Sequence, residues 1–200
     1  SHHWHVLVEA VTSGEAQAQL EAWLSDAAAA GLLDDAIIAS SAVQADALWL
    51  IRESVSAAEK ASGPAMQHDI SVPVDAMPAF MEDAAQAIEA AFPGVHASGF
   101  GHLGDGNIHF HVRAPQGAEA GPWRAGEGKA ASQMVYDLVT AANGSISAEH
   151  GIGQMKRDEL ARLSDPARLS VLRSVKAALD PLGLMNPGKL VPLASDAVGQ

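Results

Sequence analysis

The chain contains no cysteine. That rules out a disulfide framework and a thiolate metal site, so any bound ion has to be held by nitrogen and oxygen ligands. Basic residues are scarce: 12 Lys and Arg stand against 24 Asp and Glu, for a formal net charge of −12. Such a balance opposes docking on nucleic acid or on an anionic membrane surface, and the few cations are scattered rather than grouped. No apolar run approaches the ~18 residues a membrane-spanning helix needs. The first residues also lack a basic stretch leading into a hydrophobic one, and a cytoplasmic location is expected. Phosphate-binding loops are missing too. No G-x-G-x-x-G follows a strand pattern, there is no Walker-type loop, and Gly99-Phe100-Gly101 lies inside a strand-like run instead of opening a helix.

What remains is a sequence that folds. With 200 residues and an apolar fraction of 48% it can bury one substantial core or two small ones. Alternation at Trp4–Glu9 predicts a strand, Glu15 to Ala30 a helix closed by Gly31, and Ala36–Ala39 a second strand. Ser41 is placed to cap a helix running to about Lys60, which Gly63-Pro64 ends. Ile70–Val74 reads as a strand, Asp75 to Phe92 as a helix stopped by Pro93-Gly94, and Trp123 to Ala142 as a helix with Gly144 as its C-cap. Ser145–Ala148 is a further strand, followed by helices at Arg157–Leu163 and Pro166–Leu179 and a looped tail. Short strands interleaved with helices, one pair joined as a hairpin, predict an α+β fold with helices layered on a mainly antiparallel sheet.

The hairpin carries the chemistry. In Gly101-His102-Leu103-Gly104-Asp105-Gly106-Asn107-Ile108-His109-Phe110-His111-Val112, Asp105-Gly106 is the expected two-residue turn, setting His102 opposite His109. Phe100, His102, His109 and His111 then share one face, while Leu103, Ile108 and Phe110 point to the other. Cross-strand imidazoles can converge on one ion. Glu149, in the second polar cluster Ser147-Ala148-Glu149-His150-Gly151-Ile152-Gly153, is the candidate third ligand. Two histidines and a carboxylate leave a coordination position open, the pattern of a catalytic divalent-metal site. The plain alternative is a hairpin whose histidines are surface polar residues.

Three motifs in order carry a resemblance: the hairpin, Ser-Ala-Glu-His-Gly-Ile-Gly-Gln-Met-Lys at 147–156, and Leu-Asp-Pro-Leu-Gly-Leu-Met-Asn-Pro-Gly-Lys at 179–189. The chain resembles the C-terminal cap domain of FAD-linked 2-hydroxy-acid dehydrogenases, the D-2-hydroxyglutarate, D-lactate and glycolate dehydrogenase group of the vanillyl-alcohol-oxidase superfamily. The likeness spans about Trp4 to Leu193. The resemblance implies a ferredoxin-like substrate domain over 1–200, part of an enzyme whose FAD is bound mainly by an N-terminal domain that these residues do not include. It implies zinc or another divalent ion on His102, His109 and Glu149, and His150 as the base that takes the proton of a small 2-hydroxy acid. It further implies that Arg52 clamps the substrate carboxylate, a task suited to a guanidinium fork, and that Asn186 is close to the flavin; Ser56, one turn on along the same helix face, is a candidate second donor by its spacing.

Two positions depart from the pattern. Gln67 stands where D-2-hydroxyglutarate dehydrogenase-like members have a substrate-contacting lysine, and His111 where they have asparagine. The lost cation weakens the case for a second carboxylate on the substrate, and His111 is expected as a substrate contact. Asp105 and Asn107 are expected to be turn formers, and Lys156 a surface or supporting residue. For His150 the alternative is a histidine that orients Glu149; for Arg52, a solvated salt bridge; for Asn186, a turn asparagine. Two rival functions remain: a zinc hydrolase, against which the absence of an H-E-x-x-H helix speaks, and a metal-binding or dimerisation module. Homodimer formation is left open.

Overall fold

A computed structural model describes residues 3–191; the chain divides into two units, Ser1–Ser62 and Gly63–Gln200.

The first unit is a pair of helices, α1 (Ala16–Ala29) and α2 (Ala42–Ala61). Ser41 caps α2 as expected, its hydroxyl accepting from the Gln44 N–H at 3.3 Å. The strands predicted at 4–9 and 36–39 are not formed. Alternation decides which side chains share a face, but a strand also needs a neighbour for its backbone. Among the described residues of this unit no ladder supplies one, and none of them is buried.

The second unit holds the core. Its strands are β1 (Ala65–Ser71), β2 (His96–His102) and β3 (Asn107–Arg113), in the antiparallel order β1-β3-β2. Helix α3 (Met77–Ala91) joins β1 to β2; the short α4 (Ala120–Ala125) and then α5 (Glu127–Ala141), α6 (Arg157–Leu163) and α7 (Pro166–Leu179) follow β3. This is the expected α+β arrangement. The period of two sends Ile108, Phe110 and Val112 of β3 to one face, all at 0% exposure, where each side chain contributes about 1.5–3 kcal/mol by leaving water. Phe80, Met81, Ala84 and Ile88 of α3 and Ala131, Val135 and Val139 of α5 complete that core. The opposite face of the sheet is polar.

β1 begins at Ala65, five residues before the predicted start, and ends at Ser71 ahead of Pro73, which has no N–H to give a ladder. Asn143, with φ of 58°, takes the left-handed position after α5 that was expected of Gly144. The strand predicted at 145–148 is reduced to one antiparallel bridge, Ser71 with Ser145. The next rung is occupied by side chains: Lys156 Nζ donates to the Asp69 carbonyl at 3.0 Å, and the Ser147 N–H turns to Ser145 Oγ at 3.3 Å. Among the described residues a full fourth strand, which a ferredoxin-like sheet requires, is therefore not made.

Candidate functional site

The polar face of the sheet assembles the site. Antiparallel pairing sets Gln67 opposite His111, Asp69 opposite His109 and Ser71 opposite Asn107 on one side of β3, and Ser98 opposite His111, Phe100 opposite His109 and His102 opposite Asn107 on the other. The predicted pairing of His102 with His109 is therefore corrected. The connection is Leu103 to Gly106, a short 3-10 turn closed by Gly106 in the left-handed region at φ 71°, and Asp105 Oδ1 accepts the Asn107 N–H at 3.0 Å. The register has moved by two residues, not one, so the histidine face survives: His102, His109 and His111 still lie on the same side, while Leu103, expected on the apolar side with Ile108 and Phe110, sits exposed in the turn. His102 and His109 are diagonal neighbours, a relation with Cα atoms roughly 7–8 Å apart, which two imidazole rings can span.

Each predicted side chain has a distinct setting. His109 is half-buried; burial pushes its pKa below the ordinary value, outweighing Asp69 and Glu149, which favour the cation. It is thus held neutral, the form that binds a metal. Phe100 packs at 5.1 Å from the His109 ring and 5.4 Å from that of His111, centroid to centroid. His111 is buried, while His102 and Gln67 are exposed. Arg52, half-buried, and Ser56, exposed, are one turn apart on α2 of the first unit. Asn186, at φ 45°, occupies an exposed turn whose carbonyl accepts from the Lys189 N–H at 3.3 Å.

Glu149 and His150 leave the β1 ladder in a bend, followed by Gly151 and Gly153 at φ 73° and 54°. On a regular strand they would face opposite ways; here ligand atoms of both lie within 4.8 Å of one another and of Asp69. The His150 ring stacks on His109 with centroids 6.3 Å apart, and Asn107 Nδ2 donates to Glu149 Oε1 at 2.5 Å. Among the described residues, Asp69, Glu149 and His150 form the cluster that meets that spacing; the predicted set of His102, His109 and Glu149 does not close to it.

Asp69 is the residue the sequence reading missed. Its carboxylate accepts the His150 N–H at 2.8 Å, the Glu149 N–H at 3.1 Å and the Ser147 hydroxyl at 3.4 Å, with His150 Nδ1 at 3.6 Å and Lys156 Nζ at 4.0 Å. Burial alone would raise its pKa, but the His150 and Glu149 N–H groups and the Lys156 charge outweigh that and hold it below the usual carboxylate value. No sequence signal marked it, because Gln67, His68 and Ser71 make the strand around it polar as well; what sets it apart is its burial, costly for a carboxylate unless partnered. Lys156, expected as a surface or supporting residue, is the latter: it is half-buried and also donates to the Ile146 carbonyl at 2.8 Å.

The donor chemistry suits a divalent ion: exposed and half-buried imidazoles and a carboxylate on one face, and no thiolate. The family described as FAD linked oxidases, C-terminal domain, matches residues 1–190. The chain belongs to that family. Similar proteins include "D-2-hydroxyglutarate dehydrogenase" of Stutzerimonas stutzeri (strain A1501), 36% identical over 160 residues, 80% of this chain and 34% of the relative. The mitochondrial protein of that name from Arabidopsis thaliana is 34% identical over 194 residues, 96% of this chain and 33% of the relative, and that from Bos taurus 32% identical over 191 residues, 94% and 34%. This FAD-linked oxidase C-terminal domain thus spans about a third of the length of the relatives it matches. No described helix in it is long and apolar enough to cross a membrane.

Proposed function

We propose that this domain is the substrate-side part of a flavin-dependent enzyme oxidising a small D-2-hydroxy acid to the 2-oxo acid, and that a divalent ion, zinc first among candidates, is held by His102, His109 and Glu149. The observation that carries the reading is the meeting of Glu149 and His150 beside His109 on the polar face of the sheet, in a chain of the FAD linked oxidase family. The names of its relatives support the substrate class. When bound, the ion supplies a Lewis acid that favours the ionised hydroxyl; FAD, when bound, supplies a hydride acceptor.

The chain's own residues do the rest. His150, exposed and stacked on His109, accepts the hydroxyl proton; an imidazole is suited to this near neutral pH. Arg52 pairs with the substrate carboxylate through two parallel N–H groups, and Ser56 adds a donor from the next turn. Gln67 and His111, opposite each other on β1 and β3, contact the substrate's remaining atoms; Gln67, being neutral, offers no ion pair to a second carboxylate. Asn186 lies near the flavin. We place the protein in the cytoplasm, while the plant and bovine relatives are named as mitochondrial.

The test uses the full-length parent protein with metal analysis and dye-linked oxidation of a panel of D- and L-2-hydroxy acids. His150→Ala should keep the metal and lose turnover by about 10²–10⁴-fold, and His102→Ala should lose both. Full activity in either variant counts against the role assigned.

A further inference from the structure

A buried charge is costly, and a fold selected for stability alone has no need of one at position 69. Asp69 is nonetheless 5% exposed, and its carboxylate is aimed away from the apolar core at the segment 147–150. Both oxygens are used by that segment: Oδ2 takes the His150 and Glu149 N–H groups and the Ser147 hydroxyl, and Oδ1 lies 3.3 Å from the Glu149 N. Through these bonds Asp69 holds the backbone of the neighbouring residues in place. Asn107 is the counterpart across the sheet. It is 2% exposed, its Nδ2 donates to Glu149 Oε1, and its Oδ1 is buried without a partner. Leaving a buried acceptor unpaired is costly, so core packing does not explain this amide; its side-chain bond is to the site.

We infer that Asp69 and Asn107 are positioning residues, Asp69 fixing the backbone of Glu149 and His150 and Asn107 fixing the Glu149 carboxylate by occupying one of its oxygens. The two side chains come from β1 and β3, adjacent strands of the sheet that carries His109, so proton acceptor, carboxylate and imidazole are referred to one rigid frame. The inference rests on the roles proposed above for Glu149 and His150.

The experiment compares Asp69→Asn, Asn107→Ala and the wild type in the full-length parent, reading amide hydrogen exchange of residues 149 and 150, zinc affinity by competition with a chelating dye, and the split between kcat and KM. Ser132→Ala, which removes a core hydrogen bond to His68 on the other face of the sheet, serves as a purely structural control. Asp69→Asn should speed exchange at 149 and 150 more than tenfold while the β3 amides 108–112 stay protected. Zinc affinity should fall 10–100-fold in both site variants, as for partners that orient metal ligands, with kcat falling more than KM rises. The control should lower stability and change neither local exchange nor zinc affinity. Unchanged exchange at 149 and 150 in Asp69→Asn, or equal loss of protection throughout the sheet, overturns the inference, as does wild-type zinc affinity in Asn107→Ala. If the wild-type parent holds no metal, the functional reading falls and the exchange arm decides the positioning role alone.

Discussion

His68 and Asp69 adjoin on β1 and face opposite sides of the sheet, and each depends on being in one protonation state. His68 is buried among core side chains, its Nδ1 at 2.9 Å from the Phe110 carbonyl and its Nε2 at 2.9 Å from Ser132 Oγ, with the Tyr136 ring edge-on at 5.3 Å. Burial lowers its pKa to about 4, against the pull of the Phe110 carbonyl, which favours the cation. Because the folded value lies below the unfolded one, the contribution is complete above about pH 6.5 and is lost as pH falls toward 4, by about 3 kcal/mol in all. Urea titrations between pH 4 and 7 should show this slope in the wild type and lack it in His68→Gln; equal slopes would reject it. Asp69, also shifted down, adds a contribution that is present above about pH 3.9 and disappears only in stronger acid.

At the scale of elements, the hairpin shows what can and cannot be read in advance. Its existence, its apolar side and the common face of its histidines follow from alternation. Its turn does not, because Gly104-Asp105-Gly106 accommodates more than one loop length and the choice is made by local contacts: Asp105 bonding the Asn107 N–H, and Gly106 pressed against Val72, just past the end of β1. Glu149 was legible as a candidate, but Asp69 was not, since it belongs to no motif and its partners are 78 to 81 residues away. The lost strand at 145–148 has the same origin, for no periodicity announces that N–H groups will bond a side chain instead of a ladder. The hairpin geometry predicts a contrast between two glycines. A Cβ at Gly106 would meet the Val72 carbonyl oxygen at 2.0 Å with φ at +71°, whereas one at Gly104 meets nothing within 4 Å. Gly106→Ala should cost about 2–4 kcal/mol and Gly104→Ala less than about 0.5 kcal/mol, both read by thermal or chemical unfolding.

For the whole molecule, order is unevenly distributed. The apolar core is built from residues between Ile70 and Leu169, while α1 and α2 have no buried residue and leave Trp23, Leu50 and Ile51 more than half exposed. A unit of this length without an interior has little to offset its chain entropy. Residues 63–200 expressed alone should therefore unfold cooperatively, and residues 1–62 alone should show fraying helices and no cooperative transition, as circular dichroism against temperature would report. The back-to-back placement on β1 has its own consequence. A single-residue insertion or deletion within that strand would turn the imidazole onto the polar face and bury the carboxylate among phenylalanines, exchanging two groups neither of which tolerates the other's surroundings. A one-residue change of length within β1 should therefore unfold the second unit, whereas one beside the exposed Gln116 and Gly117 should not.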